Sequence, residues 1–319
     1  MKIMPKQIGF LWSASACIGL LSFLTPPPAA AQSLIDGYWN PLLNQDAYPY
    51  AGGPDPGDFS GLPITEAARK IAQQYDPDEQ TMPELQCRPF PATYGPRALS
   101  TMRVWETLDP QTQEQTKIET WISFAAQHRV IWMPASHHPP PAPSEPNSWQ
   151  GYSTAKWVGN VLWVHTDHLK EAFLQRTDGL PLDDKTTMDE RIFRYGDILV
   201  DIMMISDPQY LSQPFVYSKL YYHIPQGNMD PYPCSAHNQV PTPQGHVPMH
   251  LPFYTVTYNE AFMKKGIPLE AARGGEQTMF PEYQDYLKTL PPNPSFEQID
   301  AEQQKQLAEQ SAIMQDKVR

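Results

Sequence analysis

The sequence predicts a mainly β protein: an antiparallel meander that closes as a barrel or packs as a sandwich, with proline-rich extensions and a few peripheral helices. Three observations predict it. Between residues 99 and 225, seven or eight short segments rich in β-branched and aromatic residues alternate with a period of two. Short turns join most of them, with Val158-Gly159-Asn160 and Gly196-Asp197 as the clearest hairpin signals. The 36 prolines among 319 residues rule against a helical bundle, because each removes a backbone donor and restricts the residue before it.

The chain divides into five stretches. Residues 1–31 read as an export signal: Lys2 and Lys6 precede the apolar run Ile8–Leu24, and Ala29-Ala30-Ala31 offers a cleavage site. Beyond it no apolar stretch of about 18 residues occurs, so no membrane span is expected. Residues 32–98 form a loop-rich extension with one helix, Glu66–Gln74, capped by Thr65 and stopped at Asp76-Pro77. Residues 99–225 carry the β core, with strands expected at 99–108, 115–124, 128–133, 151–158, 161–166, 186–195, 198–205 and 215–224. Residues 226–294 return to proline-rich loop, and Ser295 with Gln298 makes a capping box for a terminal helix within 295–319.

Charge and cysteine usage narrow the function classes. The signal takes two of the 23 basic residues and none of the 35 acidic ones, which leaves the processed chain at −14. So acidic a chain without a basic run is a poor partner for nucleic acid or an anionic membrane. Processing also leaves two cysteines, Cys87 and Cys234, and an even pair in an oxidising compartment predicts a disulfide. The expected localisation is periplasmic or secreted. Oligomeric state is not legible.

Histidines supply the candidate chemistry. His137 and His138 sit in a loop, 134–148, that carries six prolines; loops of that length within a domain are usually functional or disordered. A histidine fixed by proline-constrained backbone suits proton transfer. On the strand after Asn160, alternation puts Trp163, His165 and Asp167 on one face and Leu162, Val164 and Thr166 on the other. His168 joins the second face if the strand continues, and then points away from His165. His138 and His168 are therefore the candidate catalytic residues, with Glu106 or Asp167 as orienter. HExxH, CxxC, GxSxG and phosphate-loop motifs are absent, so no motif implies a metal or cofactor.

Aromatic residues supply the candidate binding surface. Trp105, Trp132, Trp149, Trp157 and Trp163 are expected to line a cavity for a hydrophobic or aromatic small molecule, with Arg103 and Arg273 as polar contacts. Arg103 with Glu106, and Glu190 with Arg191, read otherwise as a solvated face or ion pairs. Glu270–Glu276 reads as a structural clamp on the barrel rim. Asp36-Gly37-Tyr38-Trp39 resembles the Gly-x-Trp opening of lipocalin-type barrels.

A wider resemblance covers most of the processed chain. GLPIT (61–65), LQCRPFP (85–91), RVIWM with HPP (129–140), WQGYSTAKWVGNVLWVHTDHLK (149–170), TMDERIFRYGD (187–197), DPQYLSQPF (207–215), YPC (232–234) and LEAARGG with FPEY (269–283) carry it. Together they resemble a large family of uncharacterised secreted bacterial proteins. His138, His168 and Cys234 match family positions, while Val158-Gly159-Asn160 stands where the family has Glu-Gly-Asp. The resemblance implies an architecture and a residue shortlist but no reaction. The function expected is an exported protein that binds a small hydrophobic or aromatic ligand in a barrel cavity. The alternatives are a periplasmic isomerase, lyase or hydrolase using His138 and His168, and a scaffold that engages partners through its last helix.

Overall fold

The computed structural model describes residues 35–43, 59–97, 100–175, 179–227 and 274–295, with shorter pieces between 229 and 309. Eleven strands are present among them. The first four are β1 (Gly37–Leu42), β2 (Met102–Leu108), β3 (Gln115–Ile122) and β4 (Gln127–Trp132). Next come β5 (Tyr152–Val158), β6 (Val161–Asp167) and a short ribbon, β7 (Ala172–Gln175) with β8 (Leu180–Leu182). The last three are β9 (Thr187–Tyr195), β10 (Ile198–Ser206) and β11 (Phe215–Ile224).

Nine of these strands close a barrel in the order β1-β11-β10-β9-β6-β5-β4-β3-β2. The protein is thus a lipocalin-like barrel and not a sandwich. Two features depart from a plain meander. The loop after β4 carries β5 round to run parallel to it, through the pairs Ile131↔Ser153 and Trp132↔Thr154. The closing strand β1 comes from the extension, residues where sequence patterning predicts only loop, and pairs with β11 and β2 on its two sides. GYWNPL hides its strand behind Pro41. Pairing to β2 stops at Trp39, so Pro41 lies where one side of β1 is already an edge and the missing donor is tolerated.

Alternation along the strands builds two apolar layers. One fills the barrel and includes Trp39, Ile118, Ile131, Leu162, Leu199 and Tyr221, each at most 1 % exposed. The other, with Phe59, Ala68, Leu174, Leu180, Met188 and Met203, lies where the barrel's end meets its cap. That cap is α1 (Glu66–Gln74), the β7–β8 ribbon and the 59–64 segment. α1 forms as predicted: Thr65 Oγ1 accepts from the Ala68 amide at 3.3 Å, and Ala68 and Ala72 form its buried face. Burying each large apolar side chain stabilises by roughly 1.5–3 kcal/mol.

The expected disulfide Cys87–Cys234 is present and spans 147 residues. Glu276 acts as the expected clamp: its Oε2 accepts from Ser212 Oγ at 3.0 Å and Gln213 Nε2 at 2.8 Å, while Arg69 Nη2 donates to Gly274 O at 3.1 Å. The capping box is also formed, with Ser295 Oγ accepting from Gln298 N at 3.2 Å and Gln298 Oε1 from Ser295 N at 2.8 Å. The signal stretch, most of 228–265 and Arg273 lie outside the described residues.

Candidate functional site

Between the two apolar layers the barrel interior is charged. Arg129 on β4, Ser153 on β5, Thr166 on β6 and Glu190 on β9 occupy inward positions on four consecutive strands. Arg129 donates to Ser153 Oγ at 3.0 Å, to Thr166 Oγ1 at 2.6 Å and, in a two-pronged contact, to both Glu190 oxygens. Burial opposes the Arg129 charge, and Glu190 more than offsets it, so the guanidinium is held above its ordinary range. Asp201, beside them on β10, is pushed well up by burial and then by Glu190, and among the described residues its Oδ1 has no hydrogen-bond partner. Glu190 is thus not part of a solvated face with Arg191, because parity sends Glu190 inward and Arg191 outward.

This packing leaves little room. The lumen cavity, bordered by Gln127, Arg129, Glu190, Asp201, Ile118 and Leu199, offers about 30 Å³ to water centres, the space of one or two waters. A drug-sized ligand needs a site of roughly 300 Å³ or more. The lumen is filled by Ile, Leu, Trp and Tyr at alternate positions and by the Arg129–Glu190 pair.

The expected tryptophans do not converge. Of the five, only Trp157 points into the barrel, where its Nε1 donates to Gln115 Oε1 at 2.8 Å. Gln115 in turn donates to Glu106 Oε2 at 2.5 Å, so Glu106 faces the barrel mouth. It faces Asp36, whose carboxyl is pushed up to about 6 by burial and then by Glu106. Trp105, Trp132 and Trp163 lie on the outer face. Trp105 stacks on His128 with ring centres 5.8 Å apart, and Arg103 lies over Trp105 at 5.3 Å and Tyr38 at 5.5 Å. Trp163 carries Arg191 at 4.0 Å.

The candidate histidines are gathered around one tyrosine on the outer face. His138 stacks on Trp132 with centroids 3.7 Å apart and lies 5.9 Å from the Tyr152 ring. Tyr152 donates its hydroxyl to the His138 carbonyl at 3.2 Å, and its ring meets His168 edge-on at 6.4 Å. His168 Nδ1 lies 2.6 Å from Asp167 Oδ1. The strand ends at Asp167, and His168 then turns left-handed at φ 53°, so it does not join the inner face of β6. His137 is left-handed as well, at φ 50°. Burial, then the Asp167 charge, raises the Tyr152 hydroxyl above its ordinary range. His165 pairs separately with Asp189 at 3.0 Å. Among the described residues, no three His, Cys, Asp or Glu side chains are grouped to hold a metal ion.

A far larger recess than the lumen lies elsewhere. A groove of about 390 Å³ lies between α1, the 79–94 segment and the β7–β8 ribbon. Six aromatic residues line it: Tyr75, Phe90, Tyr94, Trp149, Phe173 and Tyr210. Local contacts fix its walls. Tyr75 and Phe173 meet at 5.5 Å, Phe90 and Tyr94 at 5.0 Å. Gln150 Nε2 donates to Phe90 O at 2.7 Å, and Ala92 N to Trp149 O at 2.9 Å, which ties the 88–94 segment to the strap before β5. The disulfide anchors the groove edge at Cys87. Trp149 is the one expected ligand residue in this groove. Its other rings come from α1's end, the 79–94 segment, β7 and Tyr210, and the dense LQCRPFP stretch marks the place in the sequence.

Fold and recess together define a closed, lipocalin-like β-barrel protein with a packed lumen and an external aromatic groove. Comparison with protein-family models, curated proteins and solved structures finds no match.

Proposed function

We propose that this is an exported protein that binds a small ligand with an apolar or aromatic body in the external groove. One observation carries the reading: the groove offers about 390 Å³ lined by six aromatic rings, against about 30 Å³ in the lumen. The groove is of the size and lining that ligand sites have, with a few polar groups among apolar walls. LQCRPFP and Tyr210 of DPQYLSQPF, two of the segments that carry the family resemblance, supply seven of its residues. The signal-like N-terminus and the Cys87–Cys234 bridge support export to the periplasm or beyond. Calorimetric titration with a panel of ring-bearing small molecules tests it. Phe173→Ala is expected to weaken the best binder about tenfold, the effect of losing one well-packed ring contact. Trp163→Ala, on the outer face, leaves its affinity unchanged. Equal affinities in both variants would place the ligand elsewhere.

A second reading, an acid–base enzyme, is favoured by the Asp167–His168 contact of 2.6 Å. A His168 tautomer donating through Nδ1 leaves Nε2 as proton acceptor, oriented by the carboxylate. His138 and Tyr152 flank the same place. Under this reading Asp167→Asn displaces the pH–rate profile of any turnover found, because the partner that sets the tautomer is lost. An unchanged profile removes Asp167 from the chemistry.

A further inference from the structure

The groove's polar groups are not equivalent. Arg88 and Glu171 are exposed at its rim, where water and salt screen them, as they do exposed Lys170 beside Trp149. Glu79 is the charged group set into the wall, half-buried and beside Tyr75. Burial pushes its carboxyl above the ordinary range, Arg88 pulls it down, and Asp76 adds to the rise. Among the described residues, no hydrogen bond or ion pair engages the Glu79 carboxylate. Arg88 acts on it only through its charge, and its Nε donates to Glu84 O at 3.0 Å.

The rest of the wall has the same preference. Aromatic rings present electron-rich faces that attract cations. One groove ring already does so, with Lys170 Nζ lying 5.4 Å from the Trp149 centroid. The formal charge of −12 on the whole chain adds a long-range field that draws cations and repels anions.

We infer that the groove selects an organic cation: a small molecule with an apolar or aromatic body and an ammonium or quaternary ammonium group directed at Glu79. The inference rests on the groove being the binding site. The body packs among Phe90, Trp149 and Phe173, and the cationic end meets a carboxylate that no protein donor occupies.

The test separates charge preference from binding as such. Benzyltrimethylammonium, its neutral isostere neopentylbenzene and the anion phenylacetate are titrated calorimetrically into the full processed protein at low salt. The expected result is at least about tenfold tighter binding of the cation than of the isostere, as a desolvated cation–π and carboxylate contact supplies. In Glu79→Gln that ratio falls several-fold, to what the aromatic faces alone supply, while the isostere's affinity is unchanged. In Arg88→Gln the cation binds more tightly. Equal affinity for cation and isostere in the wild type overturns the inference and leaves the groove as a neutral apolar site, and a ratio undiminished in Glu79→Gln overturns it by removing Glu79 from the selection. Binding of none of the three overturns the groove reading and this inference together.

Discussion

Single side chains inside the barrel set how stability responds to pH and to substitution. Asp36 has a folded pKa of about 6 against an ordinary 3.8, through burial and then Glu106. A carboxyl raised on folding favours the folded state fully below its unfolded value and loses that contribution as pH rises through the folded one. The expected loss therefore falls between about pH 4 and pH 6.5. Asp36→Asn removes it. The variant is expected to match the wild type at pH 3.5 and exceed it by about 1–2 kcal/mol at pH 7.5, a figure reduced for partial exposure. Urea denaturation at the two pH values measures this, and a variant less stable at pH 7.5 contradicts it. Arg129 and Glu190 behave differently because they satisfy each other. Glu190→Gln leaves the guanidinium uncompensated and is expected to cost about 3–5 kcal/mol. Replacing Arg129 with Met and Glu190 with Leu together costs far less, since neither charge is left buried without its partner. Sequence alternation grouped Trp163, His165 and Asp167 on one face, and only the closed barrel shows that face to be the outer one, against the expectation that Trp163 lines a cavity. Alternation did not reveal Arg129 and Glu190, which stand 61 residues apart and meet only when the barrel closes.

Elements place the functional side chains through their ends. The His168 cluster depends on β6 stopping at Asp167 and on the tight approach of Gly151 before β5. Gly151 has φ +64°, and a Cβ there would lie 2.4 Å from the Asp167 carbonyl oxygen and 2.8 Å from Thr166 Cγ2. Backbone cannot yield as a flexible side chain can. Gly151→Ala is expected to destabilise by about 1–3 kcal/mol through the strained left-handed residue and the contact. It should also shift the His168 and Tyr152 resonances in NMR spectra; unmoved resonances would show that the approach does not position the cluster. The hairpins β5–β6 and β9–β10 and the helix α1 were legible because periodicity, caps and turns agreed. β1 was not: its six residues contain Pro41 and take their strand form from two partners, β2 and β11, distant in sequence. The β7–β8 ribbon was missed for a similar reason, being strands of four and three residues.

At the scale of the whole molecule, the barrel is a support and the groove is built on its cap. Residues 79–94 are held by the strap at Trp149–Gln150 and by the disulfide, whose 147-residue separation makes it a strong constraint on the unfolded chain. Cys87→Ser with Cys234→Ser is expected to lower stability by about 4 kcal/mol on the loop-entropy argument. It should weaken groove ligands further than Trp163→Ala does, because Cys87 lines the groove. Thermal unfolding and titration of the double variant check both. Unaltered affinity would mean that the strap alone holds the groove.

The sequence by itself determined the mainly β class, the order of eight core strands, α1, the terminal capping box and, with Cys17 read as part of an export signal, the pairing of Cys87 with Cys234. Those features follow from local periodicity, from capping chemistry and from cysteine usage. Tertiary structure alone decided that β1 closes the barrel, that the lumen is packed around a buried ion pair, and that a ligand-sized aromatic groove lies outside it. The reason is common to all three: each depends on contacts between residues far apart in sequence. Alternation says which side chains share a face, and only closure of the sheet says what that face meets.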